Sequence, residues 1–254
     1  MIVGKSFIYV HLQKTGGSFI SRELLRAFPE SKMIGMKHST LNSSFRRKLV
    51  GNKLIIGSDR DKYGWYRSLW SYGCDGKGGL RGRILSPGNI LRTVVKLALG
   101  LKFMSIYRTI RFHYKVKDKW SKLLEKDNEQ NFLEWFHLIN HKHAQYLIGE
   151  PIPKYFGKDA HVGLYTRRFF KSYFVSNCSY PRNNPKLEVD FFINQATLKT
   201  DLAAAIELIE KQGEIRKPEF VISDIKVNTS KKVVINNEIC AQIRKEIELI
   251  DSVF

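Results

Sequence analysis

The sequence predicts an α/β fold: a central parallel sheet flanked by helices, with a basic helical insertion at about 75–160. Short apolar runs of strand length recur, at residues 6–11 and 53–57. Each is followed by a segment with apolar residues at helical spacing. Strands separated by helices need crossover connections, and such connections make the strands parallel.

Taken in order, Phe7-Ile8-Tyr9-Val10 is β-branched and aromatic and suits a buried strand. Gly16 and Gly17 punctuate the chain, and Phe19, Ile20, Leu24, Leu25 and Phe28 then follow helical spacing up to Pro29. Residues 33–36 predict a second short strand and 41–50 a helix with a basic face. Leu54-Ile55-Ile56 reads as another buried strand, with a helix over 63–72 after it. From 73 to 88 six glycines mix with Lys77, Arg81 and Arg83, which predicts a basic loop. A long basic region with interspersed aromatics covers 90–126, and 132–147 reads as a helix. Residues 162–174 carry alternating apolar and basic side chains, and 176–185 are polar with two prolines. A strand over 189–193, a helix over 198–211 and an amphipathic helix over 242–254 complete the chain.

The 254 residues are 43% hydrophobic and 12% aromatic, which excludes global disorder. With no internal repeat and no low-complexity segment, a single domain over 1–254 is expected. Lys and Arg number 43 against 24 Asp and Glu, a net charge of +19. That surplus points to an anionic partner: a nucleic acid, an anionic lipid, an acidic glycan or a polyphosphorylated cofactor. Three cysteines without a CxxC pair argue against a disulfide scaffold and a cysteine-based zinc site. No signal-peptide pattern opens the sequence, and no stretch of about 18 uncharged apolar residues occurs. A soluble, cytoplasmic protein is expected, with the inner membrane surface as a place of contact. His137, His141 and His143 lie close in sequence, but no carboxylate completes a metal-binding HExxH pattern, so no metal is expected.

Chemistry concentrates at two places. The first is His11-Leu12-Gln13-Lys14-Thr15-Gly16-Gly17-Ser18. A glycine loop between a strand and a helix offers backbone N–H groups to an anion, and the helix dipole adds to them. Lys14 supplies a point charge, and Thr15 and Ser18 supply hydroxyls. This is not a Walker A loop, because Lys14 precedes the glycine pair, and no strand-end Asp is evident for Mg²⁺. The second place is Arg60, just past the strand at 53–57, where ligands bind in open parallel sheets. Ser68 follows eight residues later, within the next helix. A guanidinium fork and a hydroxyl can converge on one phosphate.

Together these motifs resemble the PAPS-dependent sulfotransferases, in particular the heparan sulfate 2-O-like carbohydrate branch. That family carries an "H-x-P-K-T-G-G-T/S" element, which binds the 5′-phosphosulfate and here stands at 11–18. Its "R-D/N-P-x-x-R-x-x-S" element binds the 3′-phosphate and here stands at 60–68. Gln13 and Lys62 replace the usual prolines. Fainter likenesses follow at 161–170, at 189–202 and at 228–232, the last implying a C-terminal cofactor loop that includes Ser230 and Lys231. Gln195 and Ala196 stand where the family's late strand leads to a Glu. The stretch from about 75 to 155 is largely unmatched.

The resemblance implies a P-loop-like sheet and in-line transfer of a sulfuryl group from PAPS to a carbohydrate hydroxyl, with PAP as product and no metal. Lys14, Thr15, Gly16, Gly17 and Ser18 would hold the 5′ side, and Arg60, Ser68, Ser230 and Lys231 the 3′ side. His38, between the two motifs in a "K/G-H-x-x-L" context, would be the base, with His11 as its competitor and Glu23 a distant third. The acceptor would be a glycan or a lipid-linked glycan precursor, and nucleic acid is not expected as a partner. The basic stretch 81–122 is read either as a solvated face, as the seat of an anionic acceptor, or as a contact with an anionic membrane surface. Two other functions stay open on the residues alone: a nucleotide kinase or other NTP-using protein, and a non-enzymatic module that binds an anionic polymer.

Overall fold

The structure is a computed structural model. It describes residues 1–35, 50–80, 90, 91, 94, 95, 98, 99, 103–120, 122–125, 128–141, 144, 148, 162–175, 186, 187, 189–224 and 235–251. In chain order the elements are β1 (Ile2–Val3), β2 (Phe7–Tyr9), α1 (Gly17–Ala27), β3 (Lys32–Met33), β4 (Leu54–Asp59), α2 (Lys62–Cys74) and α3 (Phe103–Trp120). After a 3-10 turn at Lys122–Leu124 come α4 (Glu129–Asn140), α5 (Leu164–Tyr173), β5 (Phe174–Val175), β6 (Lys186–Leu187), β7 (Phe191–Asn194), α6 (Leu198–Lys211) and α7 (Asn237–Asp251). They form two compact units, Met1–Asp61 with Arg168–Thr229, and Lys62–Arg167 with Ser230–Phe254.

The first unit is α/β. Its larger sheet has five described strands in the order β3-β1-β2-β4-β7, and β5 and β6 pair separately. The centre is parallel, as expected: Phe7, Ile8 and Tyr9 pair with Leu54, Ile55 and Ile56, and Ile56 to Asp59 pair with Phe191 to Asn194. The edge is antiparallel, so the sheet is mixed. Ile2 and Val3 fold back on Tyr9 and Ile8 and also pair with Met33 and Lys32. Gly4 makes the turn, donating from its N to Phe7 O at 2.9 Å. A Cβ at Gly4 would lie 2.4 Å from the Phe7 ring. Buried Glu214 fastens this turn, accepting from Ser6 N at 2.8 Å and Ser6 Oγ at 2.9 Å.

Alternation along the strands decides which face each helix covers. Phe7, Tyr9, Ile56 and Ile193 share a core with Phe19, Ile20 and Leu24 of α1 and with Leu202, Ile206 and Ile209 of α6. On the other face, Gly57 leaves room for Phe192 and Tyr173, the last residue of α5; a Cβ at Gly57 would lie 2.7 Å from the Phe192 ring. The alternating apolar and basic run at 162–174 is thus helical over Leu164–Tyr173.

One carboxylate in α1 is fully buried. Glu23 accepts from Arg26 Nη1 at 2.6 Å and Arg22 Nε at 2.9 Å, and from Ser223 Oγ at 2.9 Å and N at 3.1 Å. Burial pushes its pKa up, but the Ser223 and arginine contacts outweigh burial and hold it below the ordinary 4.5. A carboxyl with a lowered folded pKa contributes stability above its unfolded pKa and loses it as pH falls through the folded value. Glu23→Gln is therefore expected to lower stability by about 1–3 kcal/mol at neutral pH. The difference from the parent should shrink as pH falls below 4.5, which thermal melts across pH will check. An equal difference at every pH would remove the ionic part of this account.

The second unit is helical, and aromatic side chains fill it. Trp65, Trp70, Trp120, Phe132, Trp135 and Phe136 are fully buried. Asn140 ties three segments together: its Oδ1 accepts from Tyr66 Oη at 2.9 Å and from Leu164 N at 2.8 Å, and its Nδ2 donates to Phe136 O at 3.0 Å. Gly163 is required there, since a Cβ would lie 2.9 Å from the Tyr66 hydroxyl. His137 meets Glu246 at 2.5 Å, and His141 stacks on Phe112 at 4.7 Å. Among the described residues, no group of three His, Cys, Asp or Glu is placed to hold a metal. The expected helix at 41–50, but for residue 50, lies outside the described residues. So do the loop beyond 80 and the stretch at 176–185.

Candidate functional site

The loop between β2 and α1 is built by backbone handedness. Val10 N still donates to Ile56 O at 2.8 Å, so the chain leaves the sheet only after Val10. The φ angle is 68° at Lys14 and 82° at Gly16, while Thr15 and Gly17 between and after them are not left-handed. Alternating handedness turns successive N–H groups toward one side and creates a concave surface suited to an anion. Helix α1 begins at once, with no side-chain cap and no acidic residue in its first turn. Its dipole therefore places partial positive charge at the same point.

Side chains hold this loop from behind. His11 is buried, and a Cβ at Gly17 would lie 1.8 Å from its Cδ2. The imidazole occupies the space a side chain at 17 would need, and it stacks on Tyr9 with centroids 6.4 Å apart. Gly16 faces Leu198, whose Cδ1 would be 3.2 Å from a Cβ there.

Thr15 is fully buried and fastens the loop through its hydroxyl. A directed chain of hydrogen bonds runs from Tyr9 Oη to Ser58 Oγ at 3.1 Å, on to Thr15 Oγ1 at 2.7 Å, and on to Leu12 O at 2.7 Å. The order follows from Thr15 donating to Leu12, which leaves its oxygen to accept from Ser58. Tyr173 Oη donates to Ser58 O at 2.6 Å and accepts from Ser58 N at 3.0 Å. Burial raises the pKa of both Tyr9 and Tyr173 well above the ordinary phenol value, so both remain protonated donors.

Three cations belong to this loop or touch it. Lys14 lies within it, half-buried. Arg60 follows the end of β4; its N donates to Asp59 Oδ1 at 2.7 Å, and its Nη1 reaches Lys14 O at 3.3 Å. Arg168, from α5, is buried and donates from Nη1 to Gln13 Oε1 at 2.9 Å. Arg168 carries no role in the sequence reading, and neither does the Tyr9–Ser58–Tyr173 network. The faint family likeness at 161–170 and an arginine pair within an apolar run were the available signals for Arg168.

The structure thus brings Lys14, Thr15, Gly16, Gly17, Ser18 and Arg60 together in the first unit. Ser18 is the second residue of α1 and is half-buried. Ser68 lies on α2, in the second unit. Glu23 is held by Arg22, Arg26 and Ser223, as described above, and makes a poor base. His38, Ser230 and Lys231 lie outside the described residues. Comparison of this chain with protein-family models, with curated proteins and with solved structures returns no match.

Proposed function

We propose that this chain transfers a sulfuryl group from PAPS to a hydroxyl of a carbohydrate acceptor. One observation carries the reading: a strand–loop–helix turn of alternating handedness, with the Arg60 guanidinium at the carbonyl of Lys14. A loop that contains a lysine and opens a helix, with an arginine on its backbone, stands at the end of parallel strands, where α/β sheets bind ligands. In the reaction, His38 takes the acceptor's proton as the oxygen–sulfur bond forms. The bond from sulfur to the 5′-phosphate oxygen breaks, and the loop N–H groups and Lys14 meet the charge left on that oxygen. Arg60 holds the 3′-phosphate and so selects PAPS over ATP. The basic region at about 75–160 is the insertion in this reading.

The 3′-phosphate provides the test. A ligand that binds only the folded state stabilises it by about 2.7 kcal/mol at a hundredfold excess over Kd. PAP is expected to raise the thermal midpoint clearly more than ADP, which lacks that phosphate. Arg60→Ala should erase most of the difference. Equal shifts from PAP and ADP in the parent protein would end the assignment.

A further inference from the structure

We infer that the region from 90 to 120 seats the protein on an anionic lipid surface, lying in the interface without crossing it. Helix α3 shows how. Thr109, His113, Val116 and Trp120 are buried, spaced four, three and four residues apart, and so define its inner face. Met104, Tyr107, Arg108, Arg111 and Tyr114, at steps of three, one, three and three residues, fall on the opposite side of the helix and are all exposed, so they form one outer face. Met104 is 63% exposed and Tyr114 69%, values unusual for large apolar side chains that form a row.

The preceding residues repeat the pattern. Leu91, Val95 and Leu99 are helical and spaced four apart, and Leu99 is 82% exposed. Between 90 and 122 the sequence has nine Lys and Arg and a single acidic residue, Asp118.

Charge alone would suit an acidic polymer as well as a membrane. The exposed aliphatic row decides between them. A sulfated or carboxylated chain offers nothing apolar to Leu99 or Met104, whereas a bilayer interface takes aliphatic and tyrosine side chains at acyl and headgroup depth and pairs Arg with its phosphates. No helix among the described residues is long and apolar enough to cross a membrane, which fits a segment that lies in the surface. The inference does not rest on sulfuryl transfer: vesicle binding can hold while PAP binding fails, and the reverse.

Co-sedimentation with vesicles tests it, using phosphatidylcholine alone and phosphatidylcholine mixed with phosphatidylglycerol. The parent chain is expected to bind the mixed vesicles, less at high salt, and to leave the neutral ones in solution. Arg108→Gln with Arg111→Gln should lower the partition coefficient roughly thirtyfold. Leu99→Ser with Met104→Ser should lower it about tenfold, with retention on heparin unchanged. Because all four side chains face solvent, thermal midpoints should stay at the parent value. If the aliphatic variant binds vesicles as well as the parent, and only heparin retention follows the arginines, the partner is an acidic polymer and the inference fails. It also fails if the parent binds no vesicles, or if sedimentation velocity shows a dimer that the aliphatic variant splits, since the row would then pair with a second copy of the chain.

Discussion

Lys14→Ala is expected to lower sulfuryl transfer roughly 10²–10³-fold while PAP affinity falls much less. The asymmetry follows from where charge grows. A bound PAPS already carries its phosphate charges, which the backbone N–H groups and Arg60 can meet. The additional charge on the departing oxygen arises only as the bond to sulfur breaks, and an ammonium placed there acts on the barrier more than on binding. Alanine is the right probe because the loop's geometry survives it. The left-handed backbone at Lys14, φ 68°, is strained by Cβ, which alanine shares with lysine. The thermal midpoint should therefore hardly move. Single-turnover transfer beside PAP titration separates the two quantities, and near-parental turnover would reduce Lys14 to a bystander of the loop.

His38→Ala is expected to cost still more, roughly 10²–10⁴-fold in turnover, the span of general base catalysis. A sugar hydroxyl attacks sulfur poorly unless its proton leaves as the bond forms. His11 is the competitor, and its surroundings argue for another role. It is buried, and its ring fills the space over Gly17. Removing it opens a void behind the loop, so His11→Ala should lower both the thermal midpoint and PAP affinity. His38→Ala should instead leave both intact and remove the chemistry. With His38 as the proposed base, acid pH should silence transfer by the parent chain, since an imidazolium accepts no proton. A folded, PAP-binding but inactive His11→Ala variant, beside an active His38→Ala variant, would transfer the proposed base to His11.

The sequence was most readable where one periodicity dominated. The 198–211 helix has the bounds expected of it, because its apolar residues keep one stripe from Leu202 to Ile209. Strand β4 was legible as a continuous apolar run, as a parallel strand covered on both faces should be. The two-residue strand β1 was not, since no pattern fits in two residues; pairing with β2 and β3 makes it a strand, while the strand read at 33–36 meets β3 only at Met33. Helix α5 gave a mixed signal, because it buries Arg167 and Arg168 beside aromatic residues.

At the site, the loop was legible because its glycines are local necessities. Its fastenings were not. Tyr173 meets Ser58 across 115 residues of chain, and Arg168 meets Gln13 across 155. Only the sheet's crossovers bring such pairs together, and nothing in either local stretch announces the partner.

The lysine held in a left-handed turn sets two demands of selection against each other at one residue. A lysine there costs roughly 1–2 kcal/mol relative to an unstrained backbone, and glycine would relieve that cost, less the freedom it adds to the unfolded chain. A screen for heat resistance alone would thus favour glycine at position 14, as it would at any exposed turn of this shape. The same exchange would remove the ammonium from the loop. On the proposed function, thermostabilised descendants of this chain that lose turnover while keeping PAP affinity should carry their change here, where a small gain in folding would be opposed by a larger loss in rate.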